Sequence, residues 1–128
     1  MILGVIIPTF QEEENIKTTV SQISSFLKMN NIDYEIIIVD DNSSDSTARI
    51  ISNMIKKNSN IRFYLNNKKR GFGNSVVMGV EKSQADFLTI MMADSSDSLD
   101  DLLEYYNLMI NDTNLDCVLG DRWIKGSV

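Results

Sequence analysis

The chain has 128 residues, 43% hydrophobic and 23% charged, values that fit one domain able to bury a real core. Its net charge is −6 and it has no Lys/Arg-rich stripe beyond Lys68-Lys69-Arg70, which argues against nucleic acid as a partner. It has no histidine and a single cysteine, Cys117, so histidine bases, His-based zinc sites and internal disulfides are excluded.

Residues 2–7, ILGVII, form a β-branched run stopped by Pro8, and read as a buried strand followed by a loop at 8–12. Ile16, Val20, Ile23 and Leu27 then recur at three- and four-residue steps and predict an amphipathic helix over 13–29. YEIIIV at 34–39 reads as a second strand, followed by DDNSSDST. There Ser43 or Ser44 suits an N-cap and Asp45 a first turn, before a helix to about residue 57 marked by Ala48, Ile51, Met54 and Ile55. IRFYL at 61–65 is a third strand, NNKKRGFG a loop, and 73–83 a helix with Val76, Val77 and Val80 inward. A fourth strand is expected over 85–92, a helix through Leu99, Leu102, Leu103, Tyr106 and Ile110, and a fifth strand over 115–120. No apolar run approaches the ~20 residues a membrane span needs. The N-terminus lacks the basic segment and cleavage site of a secretory signal. A reducing compartment, the cytoplasm, is therefore expected.

Strands alternating with helices predict an α/β fold, a mainly parallel sheet with helices on both faces and right-handed crossovers. Ligands of such Rossmann-like sheets sit beyond the carboxyl ends of the strands. That edge of the predicted sheet carries Glu12, Asp40, Asp41, Lys69, Arg70, Asp94, Asp97, Asp121 and Arg122. Each stretch alone has a plainer reading. VDDNSSDST can be a strand end and a helix cap, RGFG a turn, and Asp94 and Asp97 acids before a helix start. Met54, Met91 and Met92 read as core filler and Trp123 as a packing residue. The acidic pair in IIIVDD also has a counterpart in receiver-like signalling domains, but there it follows the first strand.

Five stretches in order, VIIPTFQEEENI, IIIVDDNSSDST, RGFGNSVVMG, MMADSSD and LGDRWIKGS, resemble the family-2 glycosyltransferases of the GT-A fold. Within these the chain looks most like the dolichol-phosphate mannose synthase and polyprenyl-phosphate glycosyltransferase branch. The resemblance covers essentially the whole chain. It implies that Pro8, Thr9, Phe10 and Glu12 line the nucleotide pocket, with Phe10 and Gln11 in place of the usual tyrosine and asparagine. It implies that Asp41 reads the base, that Gly71 and Gly73 lie near the nucleotide, and that Arg122 approaches the donor phosphates. The family's metal motif is commonly Asp-Ala-Asp. Here Met92 holds the first acidic position, and a thioether is no ligand for a hard cation. Asp94 and Asp97 are thus the expected catalytic and metal-ligating pair, for Mg²⁺ or Mn²⁺.

The implied reaction is inverting transfer from a nucleotide-diphosphate sugar, with a lipid phosphate, a polyprenyl phosphate, as acceptor. The chain would be a single domain over 1–128, the N-terminal, donor-binding part of a GT-A enzyme truncated on its acceptor side. Its place would be cytoplasmic, peripheral at the membrane face. Apolar edges left by a missing half would favour a homo-oligomer. A nucleotide-sugar-binding module without turnover is the other reading the sequence leaves open.

Overall fold

Two β-branched runs set the centre of the fold. In the computed structural model, which describes residues 1–121, β1 (Leu3–Thr9) is buried throughout and pairs in parallel with β2 (Tyr34–Asp40), from Leu3↔Tyr34 to Thr9↔Asp40. β3 (Ile61–Leu65) lies beyond β2, and β4 (Phe87–Ile90) lies on the other side of β1. The sheet order is β3-β2-β1-β4, all parallel. The chain divides into two compact units, Met1–Asp97 and Ser98–Val128.

The first unit holds the sheet and three helices, α1 (Ile16–Met29), α2 (Thr47–Ile55) and α3 (Phe72–Lys82). α1 buries Ile16, Val20, Ile23 and Leu27, the stripe its periodicity predicts. It packs on α2 and β2, while α3 packs on β1 and β2. Side chains alternate along a strand. Ile37 and Val39 therefore meet Met78 of α3, while Ile36 and Ile38 lie on the opposite face, where α1 packs on β2.

Several boundaries differ from the sequence reading. β1 runs two residues further, through Pro8 and Thr9. Proline is tolerated in this central strand because the ladder with β4 ends near Ile6, whose carbonyl accepts from Met91 N at 3.0 Å. The amide that Pro8 lacks would face the same side, past the last β4 partner. α3 turns Ser75, Met78 and Gly79 to the sheet, and leaves Val77 and Val80 46% and 45% exposed. The cause is close approach: a Cβ on Gly79 would stand 2.5 Å from Ile6 Cγ2. The face with Gly79 docks, Met78 reaching the core beside it, and Val77 and Val80 are turned out while Val76 is half-buried. Among the methionines, Met91 is core, but Met92 is exposed.

The second unit, taken by itself, begins with α4 (Leu99–Asn111). Ser98 caps it by accepting from Asp101 N at 3.1 Å, and Asp100 and Asp101 suit the positive end of its dipole. The expected strand at 115–120 is absent; these residues form irregular chain with a bend at Asp116. An apolar run makes a strand only when a neighbour supplies a ladder, and among the described residues none does.

Glu35 knits the amino end of the sheet. Its Oε1 accepts from Ser83 Oγ at 2.5 Å and Gln84 N at 2.9 Å, and its Oε2 pairs with Arg62. Burial pushes its pKa up, but the Ser83 hydroxyl, the Gln84 amide and Arg62 outweigh burial and leave it lowered. A depressed carboxylate stabilises the fold fully above its unfolded value of about 4.3, and that contribution is lost as pH falls through the folded value. Glu35→Ala is expected to cost about 2 kcal/mol in urea unfolding at neutral pH, since charged hydrogen bonds are each worth about 1.5–3 kcal/mol. The difference from the parent should shrink as pH falls below about 4.

Candidate functional site

The sheet order reverses between β1 and β4, and such a switch point opens a crevice beyond the carboxyl ends of the strands. The loops after β1, β2, β3 and β4 reach that end.

At the end of β2 the two aspartates part. Asp40, fully buried, accepts from Ser43 N at 2.9 Å and from Ser43 Oγ at 2.5 Å, and so closes the turn after the strand. Asp41 turns to the third loop instead. Its Oδ1 accepts from Asn66 Nδ2 at 2.9 Å, its Oδ2 accepts from Gly71 N at 3.1 Å, and Arg70 Nε stands 3.7 Å from Oδ2. Asp41 N donates to Thr9 O at 2.9 Å, which places Asp41 beside the end of β1. The Arg70 guanidinium lies 4.5 Å from the centre of the Phe10 ring. Thr9, Phe10, Asp41 and Gly71 are thus brought together, with Arg70 and Asn66 between them. Gly71 has φ of 137°, a conformation that a side chain would strain, and a Cβ on Gly73 would meet nothing. Pro8 is buried in the strand just before. Arg122 lies outside the described residues.

Ser43 and Ser44 do not cap α2, which begins at Thr47. Both are drawn to Gln11, which holds φ of 55°. Its amide N donates to Ser43 Oγ at 2.8 Å, and its Oε1 accepts from Ser44 N at 2.6 Å. Asp45, ahead of the helix, accepts from Thr47 N at 3.0 Å, and the Thr47 hydroxyl holds its pKa below the usual carboxylate range. Glu12 N donates to Thr47 Oγ1 at 3.0 Å, and Glu12 Oε2 accepts from Asn15 Nδ2 at 3.2 Å. The first and second loops are therefore zipped together, and Gln11 is the staple.

Beyond β4 the chain turns back on itself. Asp97 Oδ2 accepts from Met92 N at 2.6 Å, and Asp94 Oδ1 accepts from Ser96 N at 3.0 Å. The Ser96 hydroxyl and amide hold the Asp94 pKa below the usual carboxylate range. One oxygen of each carboxylate closes the loop, and the other is the one that a cation would take. No cluster of three or more His, Cys, Asp or Glu occurs among the described residues. Two carboxylates with phosphates and water are a usual set for Mg²⁺, and Mn²⁺ shares the preference for oxygen. The donors present fit such an ion.

A family model described as Glycosyl transferase family 2 matches residues 4–127. The chain belongs to that family. It is 29% identical over 126 residues to a dolichol-phosphate mannosyltransferase of Pyrococcus furiosus, covering 98% of this chain and 34% of the relative. It is 31% identical over 129 residues to a dolichyl-phosphate beta-glucosyltransferase of Dictyostelium discoideum, covering 94% of this chain and 39% of the relative. The chain thus spans only about a third of each relative's length. Its fold matches that of Staphylococcus aureus TarS 1–349 in complex with UDP-GlcNAc, with a TM-score of 0.71, 20% identity, 87% of this chain and 32% of that one. It also matches the mannosyltransferase PcManGT from Pyrobaculum calidifontis in complex with GDP-Man and Mn²⁺, with a TM-score of 0.69, 18% identity, 84% of this chain and 32% of that one. The family-2 sheet read from the sequence is the GT-A sheet these structures share.

Two residues of this site escaped the sequence reading. Asn66, buried at the end of β3, holds Asp41 and also accepts from Lys68 N at 3.0 Å, so it shapes the third loop. Thr19, on the buried stripe of α1, reaches the fourth loop. A polar residue inside an apolar stripe was the available signal for Thr19.

Proposed function

We propose that the chain is the donor-binding part of an inverting glycosyltransferase that takes a nucleotide-diphosphate sugar and delivers the sugar to a polyprenyl phosphate. The observation that carries the reading is the switch point. Asp41 follows β2 and Asp94 follows β4, two strands away across β1. With strands ~4.8 Å apart, the two positions stand about 10 Å apart at the sheet edge, a span one nucleoside diphosphate can bridge. A base acceptor at one end and a hard-cation pair at the other suit such a donor.

In this reading Asp41 accepts from the base, and Pro8, Thr9, Phe10 and Glu12 wall its pocket. Gly71 and Gly73 leave room for the nucleotide. Lys69 and Arg70, with Arg122 beyond the described residues, offset phosphate charge. Asp94 and Asp97 hold Mg²⁺ or Mn²⁺, which when bound neutralises the leaving diphosphate as a Lewis acid. The acceptor oxygen attacks the anomeric carbon as the bond to the diphosphate breaks, and a single displacement inverts that centre. A phosphate acceptor is already anionic and needs no strong base, which suits a chain without histidine. The names of the two lipid-phosphate relatives support this acceptor. Among the described residues no helix is long and apolar enough to cross a membrane. In this reading the lipid acceptor would be met at the cytoplasmic membrane surface.

Calorimetric titration of UDP, GDP and their sugar conjugates, with and without Mn²⁺, tests the reading. Mn²⁺-dependent binding of one nucleotide is expected and names the base. No binding to any of them would overturn the reading, and binding without turnover on a polyprenyl phosphate would reduce it to a nucleotide-sugar-binding module.

A further inference from the structure

Threonine is a mediocre helix former, and inside a helix its hydroxyl usually bonds the carbonyl four residues back. Thr19 does otherwise. It is 2% exposed, and its Oγ1 lies 2.7 Å from Ala93 O and 2.6 Å from Ser95 Oγ. A carbonyl can only accept, so the single Thr19 proton goes to Ala93. Ser95 must then donate to Thr19. The remaining Ser95 contact, to Gln22 Oε1 at 3.4 Å, is weak. One buried hydroxyl of α1 therefore grips the chain on both sides of Asp94. Ser95 also holds φ of 63°, a left-handed conformation that a serine keeps only when its surroundings fix it. Two short bonds made by Thr19, one with Ser95 itself across 76 positions and one to Ala93 O across 74, supply that constraint.

The geometry points to Thr19 as a positioning residue for the metal loop: its hydroxyl, clamping Ala93 and Ser95, fixes where the Asp94 carboxylate stands. For its metal the inference rests on the donor-site reading above. Thr19 touches neither donor nor cation. It acts by removing freedom from residues 92–97, which are otherwise held by their own exposed hydrogen bonds and the weak Ser95–Gln22 contact. Partners one shell beyond a metal ligand commonly change affinity by about 10- to 100-fold when lost.

The test uses the whole chain and three substitutions. Thr19→Val keeps the shape and removes the hydroxyl, Thr19→Ser keeps the hydroxyl, and Ser95→Ala breaks the pair from its exposed side. Mn²⁺ is titrated in the presence of saturating UDP or GDP, and hydrogen exchange is followed at the Met92 and Ser96 amides. Thr19→Val and Ser95→Ala are expected to weaken Mn²⁺ by about tenfold or more and to speed exchange at both amides. Metal-free nucleotide affinity should stay unchanged, and Thr19→Ser should restore the parent behaviour. Parent-like Mn²⁺ affinity and exchange in Thr19→Val would overturn the inference. If Thr19→Val fails to fold, Ser95→Ala decides alone. If the parent chain itself binds no Mn²⁺, the donor-site reading falls. The exchange data then still decide whether Thr19 anchors the loop.

Discussion

Asp94→Ala is expected to abolish Mn²⁺-dependent nucleotide binding, a loss of more than about 100-fold, or roughly 2.7 kcal/mol, while leaving the fold intact. The Asp94 side chain is exposed and accepts locally, from Ser96 N at 3.0 Å, so little folding energy depends on it. Surface changes of this kind usually fall within about 0.5 kcal/mol. On the donor-site reading the effect on binding is large because, among the described residues, Asp94 and Asp97 are the two carboxylates this loop offers a cation. Asp97 separates charge from loop closure. Asp97→Asn keeps an oxygen that can accept from Met92 N but loses the charge, whereas Asp97→Ala loses both. Calorimetry with and without Mn²⁺, beside a thermal melt, checks the pair. Unchanged Mn²⁺ dependence in Asp94→Ala would remove the metal from this loop.

The strand ends that carry Asp41 and Asp94 were legible from chemistry and not from burial. Each apolar run stops at a carboxylate, although Asp40 and Asp41 stay buried and paired while Leu88 and Ile90 of β4 are exposed. In a parallel sheet such stops fall on one edge. The helix stripe Ile16, Val20, Ile23 and Leu27 was legible for a similar reason, since a period of 3.6 maps directly onto one face. What failed depends on a partner. The α2 cap was placed too early because Ser43 and Ser44 are taken by Asp40 and Gln11. The inward valines of α3 lost to Gly79, because contact with Ile6 is decided by distance of approach and not by hydrophobicity. The strand at 115–120 had a suitable composition and no ladder. The partners of Asn66 and Thr19 were invisible for the same reason, although Thr19 itself stood out as a polar residue in an apolar stripe. Their hydrogen bonds join residues 25 and 74 positions apart, and no local pattern encodes such a pair.

Asp41 should show the other large effect, with a different signature. A carboxylate accepts at both oxygens and donates at neither. Asp41 uses both, for Asn66 Nδ2 and for Gly71 N, in a position only 8% exposed. Asp41→Ala leaves those donors without their acceptor, at a cost of about 2–3 kcal/mol in stability. The third loop then loses its tie to β2, and Gly71 its fixed place. Nucleotide affinity is expected to fall by about 100-fold or more both with and without Mn²⁺, because on the donor-site reading Asp41 serves the base end of the donor and not its diphosphate. This separates Asp41 from Asp94, whose loss removes only the metal-dependent part. Asp41→Asn is the sharper experiment. Its amide presents one oxygen and one NH₂, so in either orientation a donor faces a donor, at Asn66 or at Gly71. Asparagine, though nearly the same shape, should therefore be almost as damaging as alanine. A silent Asp41→Asn, by urea unfolding and by titration, would mean that the two oxygens are not both needed and that the base is read elsewhere.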